Sequence, residues 1–78
     1  MKRVEIYTTP TCHFCHMAKE FFKANGIEYV EYDVATDVQK RQEMVKVTGQ
    51  LGVPVTLIGG KDVIIGFDEK ALRKLLDI

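Results

Sequence analysis

Cys12-His13-Phe14-Cys15 is the segment richest in chemistry, and it holds both cysteines of the chain. A Cys-x-x-Cys pair can cycle between dithiol and disulfide, supply half of a metal-ligand set, or tether a haem. Its position in the chain favours the first use. Thr9-Pro10-Thr11 breaks a strand pattern just before it, and a helical pattern begins at Cys12. A helix N-terminus carries partial positive charge and unsatisfied N–H groups. A sulfur placed there is favoured as thiolate. The first cysteine then sits at the open end of the helix, and the second lies one turn in and within reach. Cys12 attacks a substrate disulfide, and Cys15 releases the mixed disulfide that results. His13 strengthens the thiolate if it is cationic, and does nothing if it is neutral and turned to solvent.

Three other uses compete. Cys12-His13-Phe14-Cys15-His16 is a literal Cys-x-x-Cys-His, the string for covalent haem attachment. That use needs export and a largely helical wrap, whereas this chain has clear strand patterns and no visible export signal. A closed zinc site draws on two separated ligand pairs, and no second Cys or His pair follows. Cysteines also pack as small hydrophobes. The helix-start position argues against that for Cys12 more than for Cys15.

The elements that must position this pair are legible as patterns. Val4-Glu5-Ile6-Tyr7 alternates and predicts a strand over about residues 3–8. From Cys12 to Asn25, Phe14, Met17, Ala18, Phe21 and Phe22 recur at helical steps and form one apolar face. Gly26 supplies the stop. Ile27 to Val34 reads as a second strand. Thr36 reads as an N-cap, with Gln39 completing a capping box. The helix that follows runs to about Thr48 and ends at Gly49, with Val38, Met44, Val45 and Val47 inward. Val55–Ile58 and Val63–Ile65 read as strands joined by a hairpin at Gly59-Gly60-Lys61-Asp62. Asp68 caps a last helix with Ala71, Leu72, Leu75 and Leu76 inward. Pro54, after Val53 and at the start of a strand, is a candidate cis peptide. The turn it forms falls against the helix start, where its backbone can pair with a bound chain as an added strand.

The order β-α-β-α-β-β-α makes the first two strands parallel and the hairpin antiparallel. The expected fold class is α/β, a mixed four-stranded sheet flanked by helices, in a single domain over residues 1–78. The 11 basic and 11 acidic residues are interspersed, so nucleic-acid binding has no electrostatic support. No apolar run approaches the roughly 18 residues of a membrane span. A monomer in the cytoplasm is expected, since closely spaced cysteines in a reducing compartment are more often catalytic than structural.

Three segments together resemble the glutaredoxin family: Tyr7-Thr8-Thr9-Pro10-Thr11-Cys12-His13-Phe14-Cys15, Val53-Pro54-Val55 and Gly66-Phe67-Asp68. The resemblance spans nearly the whole chain. It implies a thioredoxin-like fold, a redox-active dithiol at Cys12 and Cys15, and a cis proline at Pro54. It also implies a glutathione groove formed by Thr9, His13, Phe14, Val53, Pro54, Gly66, Phe67 and Asp68. In that groove the Val53 backbone meets the cysteinyl part of glutathione, and Phe67 and Asp68 meet the γ-glutamyl end. The implied partners are disulfide-bearing proteins, with glutathione or thioredoxin reductase as reductant. No cofactor is required, and glutathione is a possible co-substrate. An iron–sulfur cluster bridged between two subunits through Cys12 is the alternative the resemblance carries. Two positions depart from the common pattern. His13-Phe14 stands where Pro-Tyr is usual, and Thr9 stands where a lysine usually holds the glycyl carboxylate. Gly66-Phe67 is similar to the small glutaredoxin-like proteins recycled by thioredoxin reductase, whereas Asp68 is similar to the glutathione-using branch.

Overall fold

The computed structural model describes residues 2–78. Its elements are β1 (Val4–Thr8), α1 (His13–Ala24), β2 (Val30–Asp33), α2 (Val38–Thr48), β3 (Val55–Ile58), β4 (Asp62–Ile65) and α3 (Glu69–Leu76). The strands form one sheet in the order β2-β1-β3-β4. β1 runs parallel to β2, while β1–β3 and β3–β4 are antiparallel. This is the expected mixed sheet, and it places the C-terminal end of β1 at its centre, where the chain turns into α1.

Alternation along the strands divides the core between two faces. Val4, Ile6, Ile58 and Ile64 pack with Ala18, Phe21 and Phe22 of α1 and Leu72 of α3. Tyr7, Val55, Val34 and Met44 of α2 form the opposite cluster. The second face is thinly covered. Val63 and Ile65 of the edge strand β4 point to it and stay 36% and 56% exposed.

Several boundaries and faces differ from the sequence expectation, each for a local reason. β2 starts at Val30, not Ile27. Gly26 takes φ +66°, and the Ile27 N–H donates to Phe22 O at 2.8 Å while Gly26 N–H donates to Lys23 O. Ile27 is thereby held in the C-terminal cap of α1 and is not free to join the sheet. Val34 adds one bond beyond β2, from its N–H to Thr8 O at 2.9 Å. The N-cap of α2 is Asp37, not Thr36. Its carboxylate accepts from Lys40 N at 3.0 Å, whereas the Thr36 hydroxyl turns back to Asp33 O at 3.5 Å, so no capping box with Gln39 forms. Of the expected inward face of α2 only Met44 is fully buried, and Val38 and Val47 are about half exposed. Asp62 belongs to β4, paired with Ile58, which shortens the hairpin connection. The apolar face of α1 is also narrower than its spacing implies. Ala18, Phe21 and Phe22 are buried, but Phe14 is 56% and Met17 38% exposed. Met17 lines an open groove with Phe67 and His13 instead of the core.

Candidate functional site

Cys12 is the N-cap of α1, with extended backbone angles (φ −86°, ψ 113°). Its sulfur accepts a hydrogen bond from the Cys15 N–H at 3.2 Å, and the thiol donates weakly to Val53 O at 3.7 Å. That sulfur thus receives a backbone donor at the start of α1, where the N–H groups of the first turn lack intrahelical partners. The cap therefore replaces the usual Ser or Asp by a thiol, which lends a structural position to a reactive group. Cys12 N–H donates to Thr9 O at 3.3 Å, so the Thr9-Pro10-Thr11 turn is closed onto the cysteine it precedes.

Cys15 is fully buried. Burial foremost, then its hydrogen bond with Cys12, pushes its thiol up to about 12, while a Thr9 backbone group and the charge of Lys19 act in the opposite direction. The two sulfurs are thus set apart electrostatically within one helical turn.

The three sequence segments expected to meet do meet. The Val53–Pro54 peptide is cis. Gly66 N–H donates to Pro54 O at 2.8 Å, which fixes the Gly66-Phe67-Asp68 turn beside the proline and hence beside Cys12. Gly66 has φ +83°, a conformation a side chain would oppose. Asp68 caps α3, accepting from Ala71 N at 3.1 Å, so its carboxylate is oriented by the helix it starts. Phe67 is half-buried and meets the Phe21 ring edge-on at 6.0 Å. His13 is exposed, with its ring edge-on to Phe14 at 5.6 Å. It borders a shallow, mainly apolar groove of about 520 Å³ that Met17, Phe21 and Phe67 also line.

His16 Nε2 lies 3.1 Å from Pro10 O, an arrangement in which that nitrogen carries the proton and offers no lone pair. Among the described residues, no three His, Cys, Asp or Glu side chains converge on a point suited to a metal ion.

Two features of the site were not read from the sequence. Gln50 Oε1 accepts from Gly52 N, and its amide donates to Gly52 O at 3.1 Å, folding the loop before Val53 so that Leu51 stands 66% exposed. The signal was an apolar residue amid turn formers. The second is a polar cluster of Thr8, Lys19 and Glu31 on the other side of α1. Its only sequence signal was Lys19 four residues beyond Cys15, and its acidic partner lies 12 residues further on.

A four-stranded mixed sheet with a dithiol at the start of its first helix, facing a cis proline, defines a protein of the thioredoxin-like class. Residues 4–63 match the family model described as Glutaredoxin. An uncharacterised glutaredoxin-like 8.6 kDa protein in the rubredoxin operon of Clostridium pasteurianum is 40% identical over 74 residues, spanning 95% of this chain and 97% of that protein. Glutaredoxin 3 of Escherichia coli K12 is 36% identical over 75 residues, spanning 90% of each. The crystal structure of a variant of the thioredoxin-like protein BC3987 matches with a TM-score of 0.90 and 36% identity, covering 100% of this chain and 99% of that one. The chain belongs to the glutaredoxin family, and it is a thiol–disulfide oxidoreductase.

Proposed function

We propose that this chain reduces protein disulfides by a dithiol cycle, and that glutathione mixed disulfides are its poorer substrates. The observation that carries the preference is the surface around Cys12. Phe14 is 56%, Leu51 66% and Ile65 56% exposed. Phe14 follows Cys12 by two residues, and Leu51 stands two residues before Val53, whose carbonyl accepts from the Cys12 thiol, while Ile65 lies on the sheet face opposite α1. Large apolar side chains exposed next to a reactive group favour an apolar polypeptide surface as partner. The residues expected to bind glutathione include one acid, Asp68, and one histidine, His13, but no lysine or arginine. An ammonium group has a counter-charge there, but the glycyl carboxylate of glutathione has none, since Thr9 is uncharged.

In the first step the Cys12 thiolate attacks one sulfur of the substrate disulfide. The substrate S–S bond breaks, and the leaving thiolate takes a proton. Cys15 then loses its proton and attacks the Cys12 sulfur of the mixed disulfide, releasing the second substrate thiol. The substrate gains two electrons and two protons, and Cys12 and Cys15 are left joined. Thioredoxin reductase or glutathione returns the electrons in a compartment that keeps thiols reduced, the cytoplasm. We infer that the Val53-Pro54 backbone leading into β3 is where a substrate segment pairs. No metal or organic group takes part.

The test compares a peptide disulfide flanked by apolar residues with a glutathione mixed disulfide, under one recycling system. The expected result is the higher kcat/KM for the peptide, with Thr9→Lys raising kcat/KM for the glutathione substrate by about tenfold, as one added charge-assisted hydrogen bond allows. Faster turnover of the glutathione substrate by the unmodified protein overturns the preference.

A further inference from the structure

Thr8 ends β1 on the same face as Val4 and Ile6, the face that α1 covers. It is 2% exposed, and its hydroxyl donates to Glu31 Oε2 at 2.7 Å. The same oxygen accepts from Lys19 Nζ at 2.8 Å. The Lys19 side chain is only 19% exposed, against 30% for Lys40 in its pair with Glu43. Burial alone would raise the Glu31 carboxyl, but the hydrogen bonds from Lys19 and Thr8 outweigh it and hold the group below its ordinary value. The carboxylate thus stays charged and keeps the ammonium in place. An ion pair of this kind adds little to stability, and covering a lysine works against it. Lys19 lies four residues after Cys15, on the same stripe of α1. The resolving thiol must lose a proton in a fully buried position.

We infer that Lys19, anchored by Glu31 and Thr8, is a positioning residue for the resolving step, its ammonium stabilising the negative charge that develops on Cys15. The inference rests on the dithiol cycle proposed above. The step it assists is balanced: the bond between Cys12 and the substrate sulfur breaks, the Cys12–Cys15 bond forms, and the proton of Cys15 ends on the departing thiol. Burial raises the Cys15 thiol first, and Cys12 raises it further, while Lys19 acts to lower it; reciprocally, a charged Cys15 raises Lys19. Cys12 and Lys19 are the titratable groups that act on Cys15, and Lys19 is paired in turn with Glu31. His16, Lys19, Glu31 and Asp33 border one open hollow of about 440 Å³ beside α1, which gives solvent a path to the cluster. His16 separates this hollow from the apolar groove lined by Met17 and Phe67, bordering both.

The test is a single turnover with dipyridyl disulfide, an uncharged probe that Lys19 does not attract directly. Attack by Cys12 releases one thiopyridone, and resolution by Cys15 releases the other. In Lys19→Met, which keeps the aliphatic stem, the first phase is expected to stay within about twofold. The second is expected to slow by about tenfold at pH 7 and to recover the original rate about one pH unit higher, as a one-unit shift requires. Lys19→Arg is expected to restore the second phase to within about threefold, since the charge returns. An unchanged second phase in Lys19→Met, equal slowing of both phases, or failure of Lys19→Arg to rescue overturns the inference. Cys15→Ser separates the two levels of the argument. Two equivalents from the unmodified protein and one from Cys15→Ser uphold the dithiol cycle, and release of only one equivalent by the unmodified protein removes the cycle itself.

Discussion

Cys12 and Cys15 stand one helical turn apart, yet they share almost nothing of their surroundings. Cys12 lies ahead of the first helical residue, half-buried, with its sulfur at the positive end of α1 and an N–H directed at it. Cys15 lies inside the helix on the stripe that continues through Ala18 and Phe22, all of them no more than 1% exposed. Helix geometry produces the contrast. An N-cap residue projects ahead of the first turn, and a residue three positions later faces the sheet. One sulfur is thus accessible, and the other is withheld from solvent and favoured as a thiol. A dithiol reductase needs that asymmetry, because an attacking sulfur must meet the substrate and a resolving sulfur must meet only the intermediate.

The largest expected effect breaks the comparison outright. Cys12→Ser should lose disulfide reductase activity by at least about 10³-fold, as removal of a nucleophile does. Cys15→Ser should keep the first attack and accumulate a mixed disulfide, seen as an added substrate mass on the intact protein. If the two variants lose activity alike and neither traps substrate, the division of roles fails.

A second experiment reads the asymmetry without substitutions. Iodoacetamide at pH 7 should alkylate Cys12 and leave Cys15 untouched in the folded protein. With its thiol pushed up to about 12 by burial and by Cys12, the Cys15 thiolate fraction falls by roughly 10³ relative to an ordinary cysteine. Peptide mapping should show Cys15 modified at least about 100-fold more slowly. Comparable labelling of both sites would mean that Cys15 is not withheld.

The same contrast between helix start and helix body extends to the aromatic residues of α1. Phe22 is 0% and Phe14 56% exposed. Phe22→Ala should cost about 3–5 kcal/mol of stability in denaturant unfolding, the usual loss for a core phenylalanine. Phe14→Ala should change stability by less than about 0.5 kcal/mol, as surface positions do, while raising KM for an apolar peptide disulfide. A comparable destabilisation by both would show that Phe14 belongs to the core after all.

These residues also mark what the sequence could and could not disclose. Alternation in β1, the apolar steps of α1, Gly26 as its stop, and the meeting of Cys12 with Val53-Pro54 and Gly66 were all legible, because each is a local pattern or a motif tied to one fold. The exposure of Phe14 was not, since its spacing fits the helical stripe. Thr36 reads as the N-cap because Gln39 three residues on fits a capping box, but Asp37 is also a capping residue and takes the position. The structure decides it through Asp33, whose carbonyl engages Thr36 and whose carboxylate accepts the Ala35 N–H at 2.9 Å. Accordingly Asp37→Ala should cost about 1 kcal/mol and Thr36→Ala clearly less, measured by thermal unfolding. The Lys19–Glu31 pair was beyond reach for a different reason. Its partners sit on a helix and a strand that only the right-handed crossover brings together, and no local spacing signals it.

That pair supplies the smallest effect and the finest test of how the two sides of α1 differ. Glu31 is held below its ordinary value in the folded chain by Lys19 and Thr8, against the opposing influence of burial. A carboxyl depressed on folding adds stability at pH values above its unfolded range, and that stability is lost as pH falls through the folded value. The loss should therefore begin below about pH 5 and continue under pH 4. Its size should be below about 1 kcal/mol, because the Glu31 side chain is 36% exposed and solvent screens the pair. Urea unfolding of the unmodified protein and of Glu31→Gln, followed from pH 7 to pH 3, should show the two curves converging as the acid limb is reached. Parallel curves would mean that Glu31 contributes no pH-dependent stability. Lys19 would then lack the fixed anion that this side of the helix needs to hold an ammonium near Cys15, whereas the Cys12 side, which relies on backbone donors, would be unaffected.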